Sequence, residues 1–318
     1  MNNEQSFEEM IKIIITASFW YYPKSITRIA IGICNEVYNV GLVDKEVIVR
    51  LSFYNKFLMG SHDHIPQFKN LGIKVPTILF EDYSRTLVPM AYQIQTKIDG
   101  QDLGHVIETL SDEQLKLLAR EIANIFYKVK TITPTDKFGL IWGGGDNDVS
   151  DSWTERIRIW IDESEEYGTR TGVMDDFMLK LAEKLFVKYK SYFDAVKPIT
   201  YFGDLSSKNV MIHNGKFTGL VDLDGLTQGD PLEAIGRIKL SWYGTHYGQV
   251  YTDAIMDEMS LNSEQRNIVT MYALLNQISW TCNNGIQFNQ NTQAIVDQKK
   301  EEKDKAVIKA LASELQLI

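Results

Sequence analysis

The sequence predicts an α+β protein of two lobes, a small antiparallel-sheet lobe followed by a larger, mostly helical one. Three observations carry this. Short Ile- and Val-rich runs broken by turn residues crowd the first hundred positions. Beyond residue 100 the apolar positions recur at helical spacing instead. And 318 residues exceed one average domain, with the change of pattern at Thr96–Gly100 marking the joint. The expected division is 1–97 and 98–318.

Taken in order, Ser6-Phe7-Glu8-Glu9 has the form of a capping box, and Met10, Ile13 and Ile14 give the apolar face of a first helix that Pro23 ends. Three strands follow, Ile26–Gly32, Glu36–Val40 and Glu46–Ser52, the third carrying Arg50. Over residues 55–71, Gly60 and Pro66 argue against one unbroken helix. Gly72–Pro76 reads as a turn, and Thr77–Phe80 with Leu87–Ile94 as a further hairpin. In the second lobe Ser111-Asp112-Glu113-Gln114 opens an amphipathic helix with Leu117, Leu118, Ile122, Ile125, Phe126 and Val129 inward. Helices are also expected at Trp153–Tyr167, Met174–Phe193, Leu232–Tyr243, Ser263–Cys282 and Asn291–Leu315.

Composition narrows the function. With 44% hydrophobic and 24% charged residues the chain has the makings of an ordinary globular core. Its net charge of −9 repels phosphate backbones, so nucleic acid is not an expected partner. The same acidity serves solubility, or attracts cationic small molecules. Cys34 and Cys282 lack metal-ligand spacing, which fits a reducing compartment. The opening MNNEQSFEEM carries acids where a secretory signal has a basic region, and the apolar run Ile13–Tyr22 is too short to span a bilayer. A cytoplasmic protein without membrane partners is the expectation.

The chemistry concentrates in Tyr201–Pro231. Asp204 lies in a turn and Asn209 follows five residues on. The runs Val210–Ile212 and Phe217–Val221 flank Asn214-Gly215, a tight-hairpin signal, and the second run delivers Asp222 beside the first loop. Singly, each of the three has an ordinary reading as a turn or capping residue. Together they suit phosphoryl transfer, in which one Asp takes a hydroxyl proton while an Asn and a second Asp hold a divalent metal.

The stretch resembles the core of the aminoglycoside phosphotransferase and choline kinase family, small-molecule relatives of the protein kinases. Phe202-Gly203-Asp204, Asn209, Val221-Asp222 and Gly229-Asp230-Pro231 occupy the places of that family's motif. The resemblance implies a two-lobed protein-kinase-like fold. It implies a kinase that moves the γ-phosphoryl of ATP or GTP, with Mg2+, to a hydroxyl of a small molecule. Asp204 is then the catalytic base, and Asn209 and Asp222 the metal ligands with Asp224 as helper. Arg50 pairs the phosphates as an Arg in place of the commoner Lys. Asn35, in the turn Gly32–Val37, belongs to the first hairpin over the nucleotide. Gln95, Thr96, Lys97 and Ile98, within Tyr92–Gly100, contact the base edge. An aminoglycoside-like antibiotic is the first acceptor implied, with choline, another amino-alcohol, a sugar or a macrolide as alternatives. A protein hydroxyl is a further one, and a non-catalytic nucleotide-binding regulator is the reading from another class.

Three departures stand out. Phe202 replaces the usual His, so packing must brace the catalytic loop. The helix after the third strand offers no Glu to orient Arg50, leaving Asp63 or the phosphates themselves for that task. Ala234 stands where a further Asp often follows. Gly143-Gly144-Gly145 lacks the Lys-Ser/Thr of a phosphate loop and reads as a flexible connection, and His213 and His246 lack metal-ligand partners. For the acceptor, Asp162-Glu163 and Glu165-Glu166 share a helix with Trp153 and Trp160, and Trp242, Tyr243 and Trp280 follow. They form either an amine-attracting, sugar-stacking wall or an exposed acidic face over core tryptophans.

Overall fold

The computed structural model describes residues 6–30, 32, 34–145, 147–205 and 207–318, so Ile31 and Ile33 of the first turn and Ser206, two positions after Asp204, lie outside the described residues. Helix α1 (Phe7–Phe19) opens on the Ser6–Glu9 capping box and ends at Trp20 in a left-handed conformation, three residues before Pro23. Its buried side is Met10, Ile11, Ile14 and Ile15, whereas Ile13 is half-buried. Strands β1 (Ser25–Ile29), β2 (Glu36–Gly41), β3 (Glu46–Ser52), β4 (Ile78–Asp82) and β5 (Ala91–Thr96) form one antiparallel sheet in the order β1-β2-β3-β5-β4. Alternate residues of β2 are buried, and with Val47, Val49 and Ile94 they meet α1 in a core of their own.

Helix α2 (Lys56–Asn70) runs unbroken through Gly60 and Pro66, against expectation. Pro66 sits on the exposed side, and its lost backbone bond, worth about 3 kcal/mol, is offset by Leu58, Ile65 and Phe68, all buried. Gly60 is there for contact: a Cβ on it would stand 1.6 Å from the Asp224 carbonyl oxygen. Ile65 and Phe68 pack into the core of the helical lobe, so α2 links the two parts.

That lobe continues with β6 (Gln101–Asp102), α3 (Leu103–Val106), α4 (Asp112–Val129), β7 (Phe138–Ile141), β8 (Asp148–Ser150), α5 (Trp153–Thr171) and α6 (Asp176–Ala195). Then come β9 (Ile199–Tyr201), β10 (Val210–His213), β11 (Lys216–Leu220), β12 (Leu226–Gly229), α7 (Leu232–Ser241), α8 (His246–Glu258), α9 (Ser263–Cys282) and α10 (Gln298–Glu314). Ser111 and Gln114 make the expected capping box on α4, but Leu117 is 55% exposed, because the buried stripe runs Leu115, Leu118, Ile122. Helix α9 is the buried axis, packed by α7, α10 and α5. Two small sheets run in the orders β11-β10-β6 and β8-β7-β12-β9. No helix among the described residues is long and apolar enough to cross a membrane.

Candidate active site

The sheet pairings fold Tyr201–Pro231 back on itself. Strand β12 lies beside β9 with Thr227 opposite Tyr201, so the loops that follow β9 and precede β12 leave the same edge. Between them the β10–β11 hairpin turns at Asn214-Gly215, both with positive φ, as a two-residue turn requires. The Asn209 carbonyl accepts from the Val221 N–H at 3.0 Å, which clamps the first loop to the residue before Asp222.

Asp204 lies on the first loop. The Asn209 amide nitrogen donates to its Oδ2 at 2.6 Å and to its carbonyl at 3.0 Å. Lys208 Nζ stands 3.8 Å from Oδ2 and Arg237 Nη2 3.7 Å from Oδ1. Phe202 is 1% exposed and meets Phe68 edge-on with ring centroids 5.8 Å apart, so the loop is braced by an aromatic contact with α2. Asp230 accepts from the hydroxyls of Tyr192 (2.5 Å) and Tyr272 (2.9 Å) and from the Leu232 N–H, which fixes the start of α7. Glu233, beside Ala234, accepts from Tyr201 and Asn276.

Asp222 is held at φ 61°, an uncommon backbone state for a residue with a Cβ. Its Oδ1 takes a hydrogen bond from Arg50 Nη2 at 2.6 Å. Partial burial first, and the Asp224 carboxylate second, push its carboxyl up, against the pull of Arg50 and Lys208. A carboxylate so placed suits a cation. The Asn209 amide spends its nitrogen on Asp204, which leaves its carbonyl oxygen, a hard-cation ligand. No cluster of three His, Cys, Asp or Glu able to hold a metal occurs among the described residues. One Asn and one Asp fit magnesium that takes its other ligands from substrate phosphates and water.

Arg50, Asn209, Asp222 and Lys208 edge a cavity of about 350 Å³ between the lobes. Ile29, Val37, Ile48, Met211 and Val221 give it apolar walls, and Gln95, Thr96, Lys97 and Ile98 close its far side. The Thr96 N–H already donates to the Thr77 carbonyl at 2.9 Å, so a base edge there must use the neighbouring backbone groups. Lys97 reaches out to Glu46 at 2.8 Å. Asn35 is not in this wall. It is buried, and its amide donates to Asp224 Oδ2 at 2.8 Å. Asp224, expected as a metal helper, instead has both oxygens on Arg50. Asp63 does not orient Arg50 either, since it accepts from the Gly144 N–H at 3.0 Å. The triple glycine thus packs on α2, where a Cβ on Gly143 would meet Met59 and Asp63, rather than serving as a loose connection. His213 is exposed and His246 pairs with Asp112, away from the cleft.

A second cavity, of about 300 Å³, opens beside the loop that carries Asp204, among Trp153, Trp160, Glu163, Tyr167, Glu233 and Phe288. It abuts that loop: a Cβ on Gly203 would stand 2.9 Å from Thr227 Oγ1 and 3.7 Å from Glu233 Oε2, and both residues line the cavity. Burial raises the carboxyl of Glu233, and partial desolvation raises that of Glu163, which stays exposed to solvent. Of the expected acidic cluster only Glu163 faces this space, while Asp162 pairs with Arg158. Trp242 and Tyr243 line a different hollow beside α8, and Trp280 packs on the core. Sequence reasoning missed Glu233's place in this wall, along with Tyr167 and Phe288. It also missed a bridge between the lobes: Asn289 and Asn291 donate to the Gly32 carbonyl at 3.2 and 2.8 Å, and Arg28 donates to Asn291 at 2.6 Å.

No curated protein matches the chain. Among solved structures it is similar to a thermostable mutant of aminoglycoside phosphotransferase APH(4)-Ia in ternary complex with AMP-PNP and hygromycin B (TM-score 0.69, 14% identity, 95% of this chain and 98% of that one). It is similar to a mutant aminoglycoside 2'-phosphotransferase-IIIa with GDP (TM-score 0.69, 14% identity, 97% and 96%). A proposed fructosamine-3-kinase from Haemophilus somnus also shares the fold (TM-score 0.61, 15% identity, 95% and 96%). The family model described as the phosphotransferase enzyme family matches residues 25–255, which take in the sheet, the cleft and the whole of Tyr201–Pro231. With its kinase-like two-lobed fold and that match across most of its length, the chain belongs to the phosphotransferase enzyme family.

Proposed function

We propose that the protein transfers the γ-phosphoryl group of ATP or GTP to a hydroxyl of a small molecule, an aminoglycoside-like antibiotic being the first acceptor to test. Convergence carries the reading: Asp204, Asn209 and Asp222 come together from one stretch, and Arg50 from the other lobe bonds Asp222 at the edge of the same cavity. Residues 1–97 then act as the nucleotide-binding lobe and 98–318 as the catalytic and acceptor-binding lobe. The base lies toward Gln95–Ile98 and the phosphates toward Arg50 and Lys208. The Asn209 side-chain oxygen Oδ1 and Asp222 would hold magnesium, which when bound neutralises charge on the phosphate oxygens. Asp204 orients the acceptor hydroxyl and takes its proton. The acceptor oxygen forms its bond to the γ-phosphorus as the bond to the β–γ bridging oxygen breaks, and the nucleoside diphosphate leaves with that electron pair.

The second cavity supports an amine-bearing acceptor, because ring faces and raised carboxyl groups suit a sugar ring and its ammonium groups. The nucleotide analogue and hygromycin B in one structural neighbour, and GDP in another, support the same class of ligands. The test is a coupled assay of ATP and GTP against a panel of aminoglycosides, amino-alcohols, sugars and macrolides. Asp204→Ala should lower turnover roughly a thousandfold while nucleotide affinity stays within about threefold of wild type. Full activity in that variant removes Asp204 as the base, and nucleotide binding with no acceptor turned over favours a regulator.

A further inference from the structure

Arg50 lacks the helix glutamate that the family resemblance led one to expect, and the structure supplies a carboxylate from elsewhere. Asp224 is 6% exposed. Its Oδ1 accepts from Arg50 Nη1 at 2.7 Å and from the Ser61 hydroxyl at 2.6 Å. Its Oδ2 accepts from Arg50 Nη2 at 2.5 Å and from Asn35 Nδ2 at 2.8 Å. Four bonds fill the lone-pair sites of a carboxylate, so Asp224 has nothing left for a metal. The pairing with Arg50 is the two-point fork that fixes a guanidinium in plane and direction. Ser61 adds a third hold on the same side, with Arg50 Nη1 donating to its Oγ at 2.9 Å. The remaining bond, from Nη2 to Asp222, differs from these, because the Asp222 side chain is 36% exposed and faces the cleft whereas that of Asp224 is 9% exposed. It is the one bond of the set that a phosphate oxygen can replace while the others keep the guanidinium aimed.

The geometry points to Asp224 as the positioning residue for Arg50, doing from the loop after Asp222 what a helix carboxylate would otherwise do. This rests on the reading of the inter-lobe cavity as the nucleotide site. Helix α2 stands too close for a long side chain: Gly60 lies against the Asp224 backbone, and the next residue, Ser61, bridges with a one-carbon arm. Asn35 extends the same hub to the first hairpin, so one buried carboxylate ties that hairpin, β3 and α2 to the metal-binding loop.

The test uses the full chain, a fluorescent ATP or GTP analogue titrated at fixed Mg2+, and the Arg50→Ala and Asp224→Asn changes singly and together. Asp224→Asn should weaken nucleotide binding about 30-fold, as breaking a buried charge pair does. In the Arg50→Ala background it should cost less than about threefold, because Asp224 then has nothing to aim. Equal losses in both backgrounds overturn the proposal, since a metal ligand or a purely structural residue acts without Arg50. Unchanged or tighter binding in Asp224→Asn overturns it too, showing that Asp224 merely withholds Arg50 from phosphate. If Arg50→Ala alone binds as wild type, the nucleotide-site reading falls and this proposal with it. Should Asp224→Asn fail to melt cooperatively, Ser61→Ala takes its place. It should cost about fivefold with Arg50 present and nothing without it, and an unchanged affinity overturns the proposal.

Discussion

The two cavities beside the Asp204 loop are built on different plans. Around the first, the buried charges meet fixed opposites at hydrogen-bond distance, Arg50 on Asp222 and Asp224 above all. Around the second, Glu163 stands among ring faces beside Arg156, whose guanidinium bonds Asp148, and Glu233 accepts from the neutral groups of Tyr201 and Asn276. A wall of paired charges suits one ligand geometry, whereas ring faces admit variety. The first plan fits a triphosphate, which presents the same geometry every time. The second fits an acceptor whose identity can change while the chemistry stays.

Damage to the first plan should therefore cost most. Asp222→Asn is expected to lower kcat/KM for the nucleotide at least about a thousandfold, and a loss under tenfold in steady-state assays would move the metal site elsewhere. Phe202→Ala should cost about 3–5 kcal/mol of stability, read by denaturant titration, because it empties the contact with Phe68 that joins the loop to α2. A drop below 1 kcal/mol would mean that the aromatic does not brace the loop. Glu163→Gln touches the second plan and should raise the KM of a cationic acceptor about tenfold with kcat and nucleotide affinity unchanged. The same carboxyl gives a pH signature. Partial desolvation holds it above the ordinary glutamate value of about 4.3, and only the ionised form attracts a cation. Acceptor affinity should fall as pH drops through that raised value, and the fall should be missing in Glu163→Gln. Asn291→Ala has the smallest expected effect, about threefold on nucleotide dissociation, because Asn289 still holds the Gly32 carbonyl. No change by stopped flow would make that bridge incidental.

The halves of the molecule were unequally legible in the sequence. The five-stranded sheet, the Asn214-Gly215 hairpin and the capped helices could be read because period, turn chemistry and capping are local. Helix α2 could not, since its Gly60 and Pro66 break the local rule and are tolerated for reasons of packing against Asp224 and exposure to solvent. Strands β7, β8, β9 and β12 escaped notice because three- and four-residue strands such as Asp148–Ser150 hold no period to detect. Helix α8 blends into its surroundings, with Gly248 near its start and polar residues throughout. In the site, Asp204, Asn209 and Asp222 lie on one stretch and carry a spacing. The Arg50–Asp224 pair spans 174 positions and leaves no spacing at all. Tyr167, Glu233 and Phe288 likewise meet only through tertiary packing.

Gly60 carries a consequence of its own. Because its missing side chain lets α2 lie against the Asp224 backbone, the distance between the helix and the loop of Asp222 and Asp224 is set by a shape rather than by a bond. A single methyl there would act as a wedge, changing no charge and removing no hydrogen-bonding group, yet forcing Ser61 and Phe68 off their partners together. Gly60→Ala should accordingly loosen nucleotide grip and thermal stability in step, and the two measurements parting company would show that the helix has room to yield.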